Sequence, residues 1–198
     1  MVSGRFGGGV ASKKAVELIF KDSLKATQDF SSVMLEIHKA LISSQKEDKN
    51  LLGMATTLTY GVFTKDGLKG AHCGDTRIIL LRGKGVKKVT QDHTEVQRLL
   101  NAGKLTKNEA LNYSRKHILD SALGSDDSPR IDPVDIDVQS GDRFVFTTDG
   151  VHDKIHLREL FQISQESSSP QEFVEDVEAE IKKRVAEDNY SLVCVDVY

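Results

Sequence analysis

The stretch Gly141–Asp153, GDRFVFTTDGVHD, decides how this chain is read. A Gly-Asp turn opens it, an apolar run of Phe144, Val145 and Phe146 follows, and two threonines lead into Asp149-Gly150. The run has the length and aromatic, β-branched content of a buried strand. A carboxylate at the end of such a strand, followed by a glycine that frees the backbone, suits a metal or phosphate site. Asp153 adds a second acid one step beyond.

Upstream, the period of the sequence is that of strands from Thr56 onward. The runs TTLTYGVF, LKGAHCG, RIILLR and VKKVT are punctuated by Lys65-Asp66-Gly67, Asp75-Thr76 and Gly83-Lys84-Gly85. Such turns between β-branched runs predict an antiparallel meander of at least four strands. Downstream, Ile136–Val138 and Phe144–Thr147 read as strands joined by Ser140-Gly141-Asp142, and SLVCVDVY closes the chain as another. Between them, Leu157–Ile163 and Gln171–Ala186 carry helical periodicity, the second with Phe173, Val174, Val177, Ile181 and Val185 on one stripe.

The N-terminal third is helical in pattern. GRFGGG, residues 4–9, is too glycine-rich for a regular element. Val10–Thr27 then predicts a helix, with Val10, Ala11, Ala15, Leu18, Ile19 and Phe20 on its apolar side. Ser31 or Ser32 is the expected cap of a second helix bearing Val33, Met34, Ile37, Leu41 and Ile42, and the polar run SSQKEDKN reads as a surface loop after it. Thr94 should cap Glu95–Ala102, and Thr106 with Glu109 forms a capping box for a further short helix. Ser125–Pro133 reads as a polar loop. Helix pair, strands, helices, strands, helices and strand favour an α+β fold with antiparallel sheets over a parallel βαβ array.

Composition bounds the function. At 198 residues, with 38% hydrophobic and 29% charged content, the chain suits one globular domain spanning 1–198. A net charge of -3 without a dominant basic patch argues against nucleic-acid and membrane-surface partners. Two cysteines, Cys73 and Cys194, lie in strand-like runs without a Cys-x-x-Cys spacing, as buried thiols of a reducing compartment do. No window approaches the ~20 apolar residues that span a bilayer, and no signal peptide is legible, so the expected location is cytoplasmic.

Three acids share one grammar, a strand end or tight turn where a small residue adjoins Asp: Gly74-Asp75, Asp149-Gly150 and Asp188-Asn189, with Asp153 beside the second. Each alone could serve only as a turn-former. Together they could also supply a Mg²⁺ or Mn²⁺ site, because hard divalent cations gather carboxylate oxygens from separate segments. Competing chemistry is thin. The six histidines show no zinc spacing, and no Gly-x-Ser-x-Gly elbow occurs. His93 and His152 stand near acids, where capping or surface placement accounts for both.

These segments, taken in order, resemble the metal-dependent (type 2C, PPM) protein serine/threonine phosphatases. GMATTLTYGVF resembles the family's Gly-x-Gly-Thr-Thr-Leu strand. AHCGDTRIILLRGKGVKKVTQDHT is similar to its Gly-Asp-Ser-Arg strand, hairpin and Thr-x-Asp-His turn. SALG resembles Arg-Ala-Leu-Gly, GDRFVFTTDGVHD the Ser-Asp-Gly-x-x-Asp segment, and AEDNYSLVCVDV the closing Asp-Asn-x-Thr strand. The resemblance implies a two-layer antiparallel β-sandwich flanked by α-helices on both sides, a four-layer α/β/β/α fold. It implies hydrolysis of phosphoserine and phosphothreonine in a phosphorylated protein substrate, through a water activated by Mg²⁺ or Mn²⁺. Asp149 and Asp188 would belong to the core metal centre, and Asp75, Asp149 and Asp153 to a weaker third-metal site. Residues 94–122 would form a flap beside the site that affects substrate choice.

The resemblance also has departures. VSGRFGGGVAS aligns with the part of the family's N-terminal motif that follows its Asp-Gly, and Arg5 stands where histidine is common. The metal-bridging Asp of that motif is then expected just before residue 1. The N-terminal strands, with a second metal-binding Asp and a phosphate-binding Arg, would also be missing from an N-terminally truncated domain. An unpaired sheet edge would follow, inviting self-association. A catalytically inactive, phosphatase-like binding or regulatory module is the alternative function.

Overall fold

The computed structural model describes residues 7–22, 29–125, 128–184 and 188–198. They form an α+β fold with two antiparallel sheets, distributed over two compact units. The first unit comprises Met1–Thr64, Leu68–Asp75 and Asp92–Asp135; the second comprises Lys65–Gly67, Thr76–Gln91 and Ile136–Tyr198.

In the first unit, α1 (Gly8–Asp22) and α2 (Phe30–Glu47) accompany a three-stranded sheet of order β1-β2-β5: β1 (Leu58–Thr64), β2 (Gly67–Cys73) and β5 (Asp132–Ile136). Its core joins Ala11 and Ala15 of α1 to Val33, Met34, Ile37 and Leu41 of α2, and to Ala71 and Cys73 of β2. Helix α1 begins two residues before the expected start, so Gly8 and Gly9 are helical. Ala11 donates its N–H to the Gly7 carbonyl at 2.8 Å. Packing of Ala11 and Ala15 outweighs the ~1 kcal/mol that each glycine costs a helix. The expected tail of this helix toward Thr27 lies outside the described residues.

The cap of α2 is Asp29, whose carboxylate accepts the Ser31 and Ser32 N–H groups at 3.2 and 3.3 Å, so neither serine is the cap. The run read as a surface loop is helical through Glu47, and Gln45 within it is buried. Its amide donates to the carbonyls of Met54 and Gly124 at 3.1 and 2.7 Å and accepts the Gly53 N–H at 2.7 Å. A polar side chain is buried here because backbone groups need it as a partner.

In the second unit, a four-stranded sheet runs β4-β3-β6-β7: β3 (Arg77–Arg82), β4 (Gly85–Lys88), β6 (Arg143–Thr147) and β7 (Leu192–Asp196). Leu80 faces Phe144, and Phe144 faces Val195, across its antiparallel ladders. The expected meander is therefore divided. Its first hairpin enters one sheet and its second the other, because the Gly74-Asp75 turn sends the chain out of the first sheet. Helices α6 (Leu157–Glu166) and α7 (Pro170–Lys183) bury Leu160, Phe173, Val177 and Ile181 against Ile79, Leu81 and Val145. Each such side chain contributes about 1.5–3 kcal/mol on burial. Val185, expected on the same stripe, lies outside the described residues.

The strand expected at Ile136–Val138 sits earlier, at Asp132–Ile136, and includes Pro133. Proline is tolerated there because β5 lies at an edge of its sheet. Thr94 caps α3 (Glu95–Asn101), and Thr106 and Glu109 form the expected capping box of α4 (Lys107–Leu111). Among the described residues no helix is long and apolar enough to cross a membrane.

Candidate functional site

Strand β6 ends at Thr147, and the chain turns directly into α5 (Asp149–His152). Thr148 fixes that turn: its N–H donates to the Ser191 carbonyl at 3.2 Å, and its hydroxyl accepts the Ser191 N–H at 2.9 Å. The turn before β7 is thus laced to the turn after β6. Gly150 carries the contact further. A Cβ there would fall 2.5 Å from the Asn189 carbonyl oxygen and 3.1 Å from the Tyr190 Cβ. Only a glycine lets the two backbones approach so closely, and the approach sets the Asp149 turn against the Asp188 turn.

Each carboxylate is oriented by its own turn. Asp149 Oδ1 accepts the Gly150 N–H at 3.0 Å, and Asp188 Oδ1 accepts the Asn189 N–H at 2.7 Å. Asp153 donates its N–H to the Asp149 carbonyl at 2.9 Å, placing it four residues on along the same short helical turn. His152 is buried beneath, with Nδ1 3.2 Å from the Thr147 hydroxyl. Asp149 and Asp188 thus stand on turns held together at one end of the second sheet, and carboxylate oxygens suit an oxygen-loving divalent cation rather than a soft metal. Among the described residues no group of three or more His, Cys, Asp or Glu side chains is arranged to hold a metal ion.

Asp75 belongs to the first unit, where it is buried directly after β2. Its position is set by Gly74, whose φ of 112° lies in the left-handed region. A Cβ at Gly74 would meet the Thr57 side chain at 2.3 and 2.4 Å. His93 clasps the same turn from the other side. Its N–H donates to the Gly74 carbonyl at 2.7 Å, and its ring Nδ1 accepts the Gly74 N–H at 3.2 Å. The opposite ring nitrogen, Nε2, lies 3.2 Å from Asp132 Oδ2. Burial pushes the His93 pKa down despite Asp132, so the ring is neutral around pH 7. Desolvation pushes Asp132 up, but the hydrogen-bonded Arg130 and the nearby His93 ring bring it below the usual carboxylate value.

Of capping or surface placement, the expectation for His93, surface placement does not hold: the side chain is buried. The signal was the Asp92-His93-Thr94 run next to a capped helix, where a histidine can bond backward to a turn as well as forward. The cysteines are inert: burial pushes the Cys73 thiol up to about 11 and the Cys194 thiol up to about 12. Neither is a nucleophile near neutral pH.

Comparison with known proteins bears on this geometry. The chain is 27% identical over 205 residues to the serine/threonine phosphatase stp of Listeria welshimeri, covering 98% of this chain and 81% of the relative. It superposes on the serine/threonine phosphatase PstP/Ppp of Mycobacterium tuberculosis with a TM-score of 0.86 at 25% identity, over 96% of this chain and 83% of that one. A structure of the PstP catalytic domain in complex with two manganese ions matches with a TM-score of 0.80 at 25% identity, over 96% of this chain and 81% of that one. The sequence pattern of protein phosphatase 2C matches residues 3–186, which run through both compact units. With the acids of its strand-end turns placed as described, the chain belongs to the protein phosphatase 2C family.

Proposed function

We propose that this chain hydrolyses phosphoserine and phosphothreonine in proteins, with Asp149 and Asp188 holding a divalent cation, Mg²⁺ or Mn²⁺. The observation that carries the reading is the contact of Gly150 with the Asn189 carbonyl, which joins the two acid-bearing turns. A bound cation would supply Lewis-acid stabilisation of phosphoryl oxygens and lower the pKa of water at the site. The chain's own residues provide the rest. Asp149 and Asp188 present carboxylates preoriented by adjacent N–H groups, so little ordering is needed when a cation arrives. Thr148 and Ser191 keep the two turns in register.

Asp75 and Asp153 are read as ligands of weaker additional cations. The 94–122 segment is read as the flap that selects among phosphoprotein substrates. Its root is fixed by mutual backbone bonds: the Glu95 N–H donates to the Ile118 carbonyl at 2.9 Å, and the Asp120 N–H to the His93 carbonyl at 2.8 Å. Between these bonds its outer surface carries α3 and α4, which share no buried residues with the core and can vary without unfolding it.

The test is hydrolysis of a phosphothreonine peptide by the purified protein with and without Mn²⁺. The reading expects Mn²⁺-dependent phosphate release that falls at least ~100-fold in Asp149→Asn. Metal-independent turnover, or an Asp149→Asn protein as active as the parent, would overturn it.

A further inference from the structure

We infer that His93 is a positioning residue for the Asp75 carboxylate, holding the Gly74–Asp75 turn to the root of the 94–122 segment. The inference rests on the reading of Asp75 as a cation ligand. It starts from the density of bonds that meet at one residue. His93 gives its N–H to the Gly74 carbonyl at 2.7 Å, takes the Gly74 N–H on Nδ1 at 3.2 Å, and takes the Asp120 N–H on its carbonyl at 2.8 Å. Both polar groups of Gly74 are therefore satisfied by a single residue nineteen positions on, at the point where the helical segment begins.

The ring chemistry follows from these partners. A backbone N–H can only donate, so Nδ1 carries the lone pair and the proton of the neutral ring sits on Nε2. Nε2 lies 3.2 Å from Asp132 Oδ2 without making a hydrogen bond to it, and Asp132 is itself gripped by Arg130 at 2.9 and 2.7 Å. The His72 ring packs against the His93 ring, with centroids 4.7 Å apart and planes tilted by 56°. His72 is fixed in turn by the Thr59 hydroxyl at 2.7 Å from its Nδ1. Asp132, His93 and Gly74 thus follow one another in space, ending beside Asp75. A displacement at the root of 94–122 is transmitted to that turn, because the same histidine bonds Gly74 on one side and Asp120 on the other. Supports of this kind set ligand orientation without touching the cation.

Two substitutions separate the ring's two ends. His93→Asn places an amide oxygen where Nδ1 stood and can still accept the Gly74 N–H. His93→Gln reaches toward Asp132 but surrenders that acceptor. Mn²⁺ affinity is measured by calorimetric titration, with Asp75→Asn marking the component that depends on Asp75, and Gly74 amide exchange is followed by NMR. The expected result is about tenfold weaker Asp75-dependent Mn²⁺ binding and about tenfold faster Gly74 exchange in His93→Gln, with His93→Asn within about twofold of the parent in both. In the unsubstituted protein, the ring ¹⁵N signals should report a proton on Nε2 alone. Equal behaviour of the two variants, or a proton on Nδ1, would overturn the inference. If Asp75→Asn leaves Mn²⁺ binding unchanged while the Gly74 exchange ordering holds, Asp75 is no ligand. The metal reading of that residue, and this inference with it, then fails even though His93 grips the turn.

Discussion

The Asn189 carbonyl oxygen lies 2.5 Å from the point where a side chain on Gly150 would begin, so the turn of Asp149 and the turn of Asp188 are locked backbone to backbone. Gly150→Ala must push these turns apart. The expected cost is about 1–3 kcal/mol in urea unfolding, with Mn²⁺-dependent phosphatase activity reduced by a larger factor than stability alone explains. Unchanged activity in a folded Gly150→Ala protein would show that the two turns need not be in register.

Gln45 satisfies three backbone groups at once, the carbonyls of Met54 and Gly124 and the N–H of Gly53. Gln45→Leu keeps the volume but leaves all three without a partner in a buried setting. A loss of about 3 kcal/mol is expected from chemical denaturation. A change below about 0.5 kcal/mol would mean that water reaches these groups.

Arg143 and Asp196 face each other across β6 and β7, joined through two bonds of 2.7 and 2.8 Å, with side chains 10% and 14% exposed. The guanidinium also lies 5.1 Å from the Phe173 ring centroid. Asp196→Asn leaves a nearly buried cation without its counter-charge and should cost about 3 kcal/mol. The exposed pair Arg98–Asp120, at 58% and 29% exposure, is the control: Asp120→Asn should cost less than about 1 kcal/mol. Thermal unfolding of both variants decides the ranking.

Acid should weaken the second unit through Glu159. Side-chain hydrogen bonds from Arg184, aided by the His156 N–H, hold its carboxyl down to about 2 from 4.5. A lowered carboxylate pKa stabilises the fold above pH 4.5, and that contribution is lost as pH falls toward 2. Both partners are about a third exposed, so water screens the pair and its worth stays below about 1 kcal/mol. Arg184→Met should flatten the fall in stability across this window by that amount, as measured by urea unfolding at stepped pH.

Much of this architecture was legible in the residues. Periodicity marked Phe173, Val177 and Ile181 as one buried stripe, and the Thr106–Glu109 box marked the start of α4. The acids at strand ends pointed to one chemistry because hard cations ask for oxygen from several turns. What stayed hidden depended on tertiary partners. Gln45 looks like solvent-facing polarity until Gly53, Met54 and Gly124 arrive beside it. Pro133 argues for a loop until β5 is known to be an edge. RIILLR and LKGAHCG follow one another as a meander would, and nothing local tells that they enter different sheets. His93 offered the least signal of all, since its inferred role lies in bonds to Gly74 and in its approach to Asp132, far from it in sequence.

Asp149 and Asp188 are proposed to act as one unit. The most direct measurement is kcat/KM for a phosphothreonine peptide under saturating Mn²⁺ in Asp149→Asn, Asp188→Asn and the double variant. Each single substitution is expected to lower it at least ~100-fold, with the double variant hardly lower than either, because removing one partner already dismantles the shared site. Single variants that retain the parent's turnover, or losses that simply multiply in the double variant, would contradict a cation held jointly by these two turns.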